Sequence, residues 1–231
     1  MTNEREGYKQ LAAEHALGLV QSGMYIGLGT GSTARYVVEG LASRLRDGRL
    51  GHVVGVPTSE AAAALARSVG VPLASLDDQP QLDLAIDGAD EIDPQLNLIK
   101  GLGGALLREK IVAAAATQFI VVADDSKLVI ALGTHAPLPV EVVIFGLKPT
   151  ERHLHALGCV PVLRRDATGA MFVTDEGNAI LDCRFLSIPE PAALSAAIHA
   201  VPGVVDHGLF IGMAARAFVA GAGGVTLLTS E

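Results

Sequence analysis

The sequence predicts an α/β chain: a mostly parallel sheet flanked by helices, followed by a smaller α+β module. Three observations predict it. Over roughly the first 130 residues, short apolar runs alternate with segments of helical periodicity, the pattern of parallel strands joined by crossover helices. From about Pro137 the rhythm changes to short strands and two helices in the order β-α-β-β-α. Half of the 231 residues are hydrophobic and only 18 % are charged, enough apolar matter for a core and too little charge for a disordered chain.

Each element has a local reason. Tyr8, Leu11, Ala12, His15, Ala16 and Leu19 recur at helical spacing and Gly23 follows as a stop, so the first helix carries His15 as a packed core residue. A short strand, Met24 to Leu28, runs into GTGSTA, and a helix from about Ala34 to Arg46 leads to the strand His52 to Val56. The Ala-rich run Glu60 to Val69 is a third helix, Leu82 to Ile86 a strand ending in DGADEID, Ala105 to Ala116 a helix, and Phe119 to Ala123 a strand ending in DDSK. PLPVEVVIF then reads as a strand, Thr150 as the N-cap of the helix ERHLHAL, and Gly158 as its end. CVPVLRR, MFVTD and AILDCRF are short strands divided by DATG and EGN turns, and PEPAALSAAIHAV is a helix with Pro in its first turn. The apolar runs from Val204 onward return to the first sheet. The expected architecture is therefore a Rossmann-like α/β domain, residues 1–135 with 204–231, and a ferredoxin-like α+β lid domain, residues 136–203.

Composition narrows the function. With 17 basic and 25 acidic side chains the net charge is −8, which argues against nucleic acid or an anionic membrane as partner. The polar, mixed-charge MTNEREGYKQ is no signal or transit peptide, and no stretch approaches the roughly 18 apolar residues of a membrane span. Cys159 and Cys183 lie far from any CxxC spacing and read as small core hydrophobes. His153 and His155, at i and i+2 on a helix, diverge and read as surface residues rather than a metal pair. The expectation is a soluble, cytoplasmic protein of a reducing compartment.

Ligands of open parallel α/β sheets bind beyond the carboxyl ends of the strands. Those ends here read Thr30-Gly31-Ser32-Thr33, Pro57-Thr58-Ser59, Asp87-Gly88-Ala89-Asp90 and Asp124-Asp125-Ser126-Lys127, four polar exits on apolar strands. The first is Gly-rich and opens a helix, so its backbone N–H groups and the hydroxyls of Thr30, Ser32 and Thr33 suit a phosphate. Gly29 to Ala34 also fits G-x-G-x-x-A, but the next strand ends VGVPTS without the acid that holds a ribose, so a phosphate monoester is favoured over a dinucleotide; a turn needed only for packing is the third possibility. DGADEID holds four carboxylates in seven residues and is open to three readings: a solvated turn, a divalent-metal site without calcium-loop spacing, or acid-base catalysis by Asp87 and Asp90. Lys100, ahead of another Gly-rich stretch, supplies positive charge that makes a metal less necessary. Arg108, Glu109 and Lys110 span about 200° of a helix, and Ala105, Leu106, Val112 and Ala113 surround Glu109 at helical spacing. Its carboxylate is either partly desolvated, hence a better proton acceptor near neutral pH, or a surface group paired with a basic neighbour.

In order and spacing, GLGTGSTA, GVPTSE, DGADEID, KGLGGALLREK, PLPVEV and PGVVDHGLFIGMA together resemble the ribose-5-phosphate isomerase family of the A type, from about Tyr8 to about Leu228. The resemblance implies aldose–ketose isomerisation between D-ribose 5-phosphate and D-ribulose 5-phosphate through an enediolate, in the non-oxidative pentose phosphate pathway. It implies catalytic roles for Glu109 as base, Asp87 for the hydroxyl protons, Lys100 for the oxyanion, and Asp90 for orienting Lys100 or opening the furanose ring. It implies substrate contacts by Thr30, Gly31, Ser32, Thr33, Gly88, Ala89, Gly101, Leu102, Gly103, Lys127 and Lys9. Leu102 departs from the glycine that many members carry. The expected partner is a small sugar phosphate, with no cofactor and no metal, in a homodimer or homotetramer. Three rival classes remain at this point: a sugar-phosphate-sensing effector domain, which lacks a DNA-binding segment here; a CoA transferase using Glu109 as nucleophile; and an NAD-linked dehydrogenase, which lacks the ribose-binding acid.

Overall fold

The computed structural model describes residues 2–229. In chain order it runs α1 (Thr2–Leu17), β1 (Tyr25–Leu28), α2 (Ser32–Arg46), β2 (Val54–Pro57), α3 (Glu60–Val69), β3 (Leu82–Asp87), β4 (Glu91–Ile92), β5 (Leu98–Ile99), α4 (Leu106–Ala115) and β6 (Ala116–Asp124). It continues through a 3-10 turn (Asp125–Lys127) to β7 (Leu138–Val142), α5 (Leu147–His155), β8 (Val160–Leu163), β9 (Ala179–Arg184), α6 (Pro191–His199), β10 (Val204–His207), β11 (Leu209–Phe210), β12 (Ala214–Gly221) and β13 (Gly224–Thr229). The chain divides into two compact units, Met1–Ala89 with Arg108–Lys127 and Gly212–Glu231, and Asp90–Leu107 with Leu128–Ile211. Residues 90–107, 128–135 and 204–211, expected with the first domain, group with the second unit.

The first unit holds a six-stranded sheet in the order β13-β12-β6-β3-β1-β2, parallel except for the edge strand β13. Successive residues of a strand face opposite sides, and here the alternation sorts the core. Ile26, Leu28, Leu84, Ile86, Ile120 and Val122 are buried against α1, α2 and α3. The alternate set, Gly27, Gly29, Ala85, Asp87 and Phe119, shares its space with Glu109, Val112 and Ala113 of α4. Of the apolar runs from Val204 onward, β12 and β13 return to this sheet, β12 lying parallel beside β6, whereas β10 and β11 pair with strands of the second unit. Local signals set the ends of α3: the Ser59 hydroxyl accepts the Ala62 N–H at 3.0 Å, and Gly70 stops the helix in the left-handed region, φ 84°.

The second unit contains a four-stranded antiparallel sheet in the order β10-β7-β9-β8, with helices α5 and α6 between its strands in sequence. That is the ferredoxin-like arrangement. A three-stranded sheet, β11-β5-β4, belongs to the same unit. Cys159 and Cys183 are both buried as free thiols in its core.

Several local expectations are corrected. His15 is exposed: the buried face of α1 is Ala12, Ala13, Ala16 and Leu17, rotated from the predicted stripe, and His15 Nδ1 lies 2.9 Å from the Leu11 carbonyl. Thr150 does not cap α5. The helix begins earlier, after Gly146, because Pro149 fits the first turn where its missing N–H has no partner to lose. Thr150 is instead buried, its hydroxyl donating to the carbonyls of Gly146 and Pro202 at 3.1 and 3.2 Å. MFVTD forms no strand; it makes isolated bridges at Met171 and Val173. The strand in PLPVEVVIF stops at Val142, and Val143, Ile144 and Phe145 are exposed.

Candidate active site

The four polar exits predicted from the sequence sit on strands adjacent in one sheet, in the order β6, β3, β1, β2, and parallel to one another. Connections from β1 run to β2 on one side, while β3 lies on the other, so the boundary between β1 and β3 is the point where the strand order reverses and ligands of such sheets bind. A narrow crevice opens there, lined by Gly27, Gly29, Thr58, Asp87, Glu109 and Val112 among others. Both carboxylates are deeply buried, Asp87 3 % and Glu109 4 % exposed. Glycines make the room: a methyl on Gly27 would lie 2.5 Å from Val112 Cγ1, and one on Gly29 would collide with Asp87. Two alternate positions at β1 thus carry no side chain where α4 and Asp87 approach the strand.

Asp87 fixes the loop above β1. Its Oδ1 accepts the Thr30 N–H at 3.0 Å and the Gly88 N–H at 2.7 Å. The Thr30 hydroxyl lies 2.7 Å from both Thr58 Oγ1 and Ser59 Oγ. Thr58 donates its one hydroxyl hydrogen to the Leu28 carbonyl at 3.0 Å, so Thr30 must donate to Thr58, and Ser59 to Thr30. Both Thr30 donors are therefore committed within the protein, and the donors left to an anion come from residues further on. Gly31 turns the chain at φ 108° into the N-terminus of α2. Ser32 is exposed there and accepts from Lys9 Nζ at 3.0 Å, while Lys9 also pairs with Glu6 at 2.6 Å. Thr33 is buried, and a methyl on Gly88 would lie 3.9 Å from its Cβ. Thr58 and Ser59, which brace Thr30, are residues that the motif reading located at a strand exit without giving them a role; two hydroxyls ending an apolar strand are the signal.

The remaining expected residues distribute as follows. Ala89 is half-buried beyond Asp87 and Gly88, and Lys127 is half-buried on the turn after β6, the neighbour of β3. Asp90, Lys100, Gly101, Leu102 and Gly103 belong to the second unit. There Lys100 is 2 % exposed, its N–H donates to the Gly208 carbonyl at 2.9 Å, and its Nζ lies 5.5 Å from the Phe210 ring centre. Asp90 accepts the Leu102 N–H at 3.0 Å, and the Leu102 side chain is exposed.

DGADEID is neither a solvated turn nor a cation loop, because its carboxylates have separate duties. Glu91, fully buried, accepts the N–H groups of Gly133, His135 and Ala136 at 2.5, 2.6 and 2.7 Å. Asp93 holds the β4–β5 turn through Gln95 N, Asn97 N and Asn97 Nδ2. His153 and His155 are exposed. Elsewhere His199, Asp206 and His207 bring ligand-type atoms within 4.8 Å. The Leu209 N–H donates to His207 Nδ1 at 3.1 Å, which puts the ring proton on Nε2, facing Ser195 and His199 as a donor instead of a metal ligand.

Comparison with known proteins identifies the family and the fold. The model of the ribose 5-phosphate isomerase A (phosphoriboisomerase A) family matches residues 54–224. A ribose-5-phosphate isomerase A from Roseiflexus sp. (strain RS-1) is 66 % identical over 221 residues, covering 96 % of this chain and 95 % of that one. A D-ribose-5-phosphate isomerase in complex with phospho-erythronic acid is 40 % identical with a TM-score of 0.95, over 97 % of this chain and 99 % of its own. The ribose 5-phosphate isomerase A of Methanocaldococcus jannaschii is 40 % identical with a TM-score of 0.93, over 97 % and 99 %.

Proposed function

The chain belongs to the ribose 5-phosphate isomerase A family, and from that premise we propose that it interconverts D-ribose 5-phosphate and D-ribulose 5-phosphate through an enediolate with Glu109 as base. It is an isomerase, an intramolecular oxidoreductase, and membership displaces the effector-domain, CoA-transferase and dehydrogenase readings. The observation that carries the mechanism is the pair of buried carboxylates, Asp87 and Glu109, lining one crevice at the point where the strand order reverses.

Isomerisation removes the proton on C2 of the open-chain aldose and returns it to C1, while a hydroxyl proton passes between O2 and O1. Glu109 takes the carbon proton and gives it back. Asp87, whose Oδ1 is held by the Thr30 and Gly88 N–H groups, handles the hydroxyl protons. Lys100 stabilises the charge developing on oxygen in the enediolate. Asp90 orients the turn after Lys100 through the Leu102 N–H. The 5-phosphate binds at Ser32, the N–H groups opening α2 and Lys9, with Lys127 as a further cation, and this remote anchor orients the reacting carbons. Every step is assigned to a protein group, so the proposal includes turnover without a metal. It also includes, from the resemblance, a place in the non-oxidative pentose phosphate pathway and a cytoplasmic homodimer or homotetramer.

The test is turnover of ribose 5-phosphate in excess EDTA, for wild type and Glu109→Gln. Removing a general base costs about 100-fold or more, so the variant should lose at least that factor in kcat while the wild type is indifferent to EDTA. Full activity in Glu109→Gln removes the base; loss of wild-type activity in EDTA removes the metal-free scheme.

A further inference from the structure

Arg164 lies just beyond β8, far in sequence from any motif, with its side chain only 11 % exposed. Its Nε donates to Asp182 Oδ2 at 2.9 Å and its Nη2 pairs with Asp182 Oδ1, a two-pronged contact that fixes the plane of the guanidinium. The third nitrogen, Nη1, then points at two backbone carbonyls, those of Gly101 at 2.9 Å and Leu102 at 3.1 Å. The Phe172 ring lies 5.8 Å from the guanidinium carbon and also packs against Gly104, whose φ of 84° closes the same turn through its N–H on the Gly101 carbonyl at 3.0 Å. We propose that Arg164 is a positioning residue for the isomerase: it sets the backbone of the turn that follows Lys100.

A trans peptide is planar, with its N–H opposite its C=O. Turning the carbonyls of Gly101 and Leu102 onto Arg164 therefore turns the N–H groups of Leu102 and Gly103 the other way. The first of these is the one that Asp90 accepts at 3.0 Å. One guanidinium and one carboxylate thus grip the two sides of the same peptide, and Lys100, the residue immediately before, has its own N–H fixed by the Gly208 carbonyl at 2.9 Å. Lysine could not replace the arginine, because a single ammonium cannot serve a carboxylate fork and two carbonyls from a rigid plane. The inference rests on the assignment of Lys100 to the enediolate.

The experiment compares Arg164→Lys, Arg164→Ala, Asp182→Asn and Lys100→Met by steady-state kinetics with ribose 5-phosphate and by thermal melting. A catalytic group displaced by about an ångström can lose on the order of 100-fold. Arg164→Lys should lower kcat by about 10- to 100-fold while KM changes less than about threefold. Millimolar guanidinium should restore part of the kcat of Arg164→Ala. Asp182→Asn, which keeps the donors to both carbonyls, should lose less than Arg164→Lys at a similar melting temperature. Wild-type kcat in Arg164→Lys, or losses that follow melting temperature in all three variants of the pair without guanidinium rescue, overturns the role of Arg164. Wild-type kcat in Lys100→Met overturns the premise instead, since nothing after Lys100 would then need positioning.

Discussion

Thr58→Val removes one hydroxyl at nearly constant shape, and the direction of the hydrogen bonds around Thr30 says what should follow. Thr30 donates to Thr58 and Thr58 to the Leu28 carbonyl, which also receives the Thr58 N–H at 3.0 Å. The Leu28 carbonyl therefore keeps a partner in the variant, whereas the Thr30 hydroxyl loses its acceptor. That hydroxyl is half-buried and keeps Ser59 Oγ at 2.7 Å, so the loss is about 1 kcal/mol, and the loop that leads into α2 loosens where the phosphate is proposed to bind. Urea titration should show that loss of stability, and KM for ribose 5-phosphate should rise several-fold with a smaller change in kcat. An unchanged KM beside the same stability loss would make Thr58 a residue of the fold alone. At this scale the sequence carried part of the answer. A hydroxyl pair ending an apolar strand was visible in PTS, but the partner 28 residues earlier, and hence the loss of Thr30 as a donor, depends on how β1 and β2 align.

The elements show the same division between local and distant causes. Helix α3 runs from Glu60 to Val69, as its Ser59 cap and Gly70 stop dictate, because both signals lie within the segment they control. Glu109 was also legible, since Val112 and Ala113 at i+3 and i+4 put it on the apolar face of α4. Thr150 misled because the helix starts a turn earlier, after Gly146, and its hydroxyl then meets the Gly146 carbonyl within the helix and the Pro202 carbonyl across 52 residues. Gly27 is the element-scale counterpart, a position whose constraint is set by a helix met only in the fold. A methyl there would meet Val112 Cγ1 at 2.5 Å and Ala85 Cβ at 2.8 Å, so Gly27→Ala must push α4 from the sheet or strain both neighbours. Overpacking of this kind costs about 1–3 kcal/mol. Because Glu109 lies one turn before Val112 on the same helix, kcat should fall with the stability, whereas Ile111→Ala, on the exposed side of α4, should leave kcat as it is. Equal kcat in Gly27→Ala and wild type would show that the helix accommodates the methyl without moving its carboxylate.

Across the whole molecule, the alternation of strand and helix and the change of rhythm near Pro137 made both sheets legible, because those patterns repeat over tens of residues. What stayed hidden were polar groups whose partners come from other strands. Glu141 is the clearest. It sits in PLPVEV on β7, 1 % exposed, between Ile180 of β9 and Asp206 of β10, and its Oε1 accepts from Thr174 Oγ1 at 2.8 Å and Asn178 Nδ2 at 2.9 Å. Burial raises its carboxyl above the usual range; the two hydrogen bonds pull it down less, and the negative charges of Glu176 and Asp206 add to the rise. A carboxyl raised in the folded state holds a proton that the unfolded chain has released. Stability therefore falls as pH rises from the ordinary glutamate value through the raised one, and above it the full cost is present. Glu141→Gln keeps an oxygen for Thr174 and Asn178 and removes the titration. Unfolding in urea at several pH values between about 3 and 8 should show the Gln variant gaining on the wild type as pH rises, with the difference levelling off at the acid end, where Glu141 is protonated both folded and unfolded. Taking the difference between the two proteins cancels every other titrating group they share. A difference that does not change with pH would mean that Glu141 titrates alike in the folded and unfolded chain, its hydrogen bonds to Thr174 and Asn178 offsetting its burial.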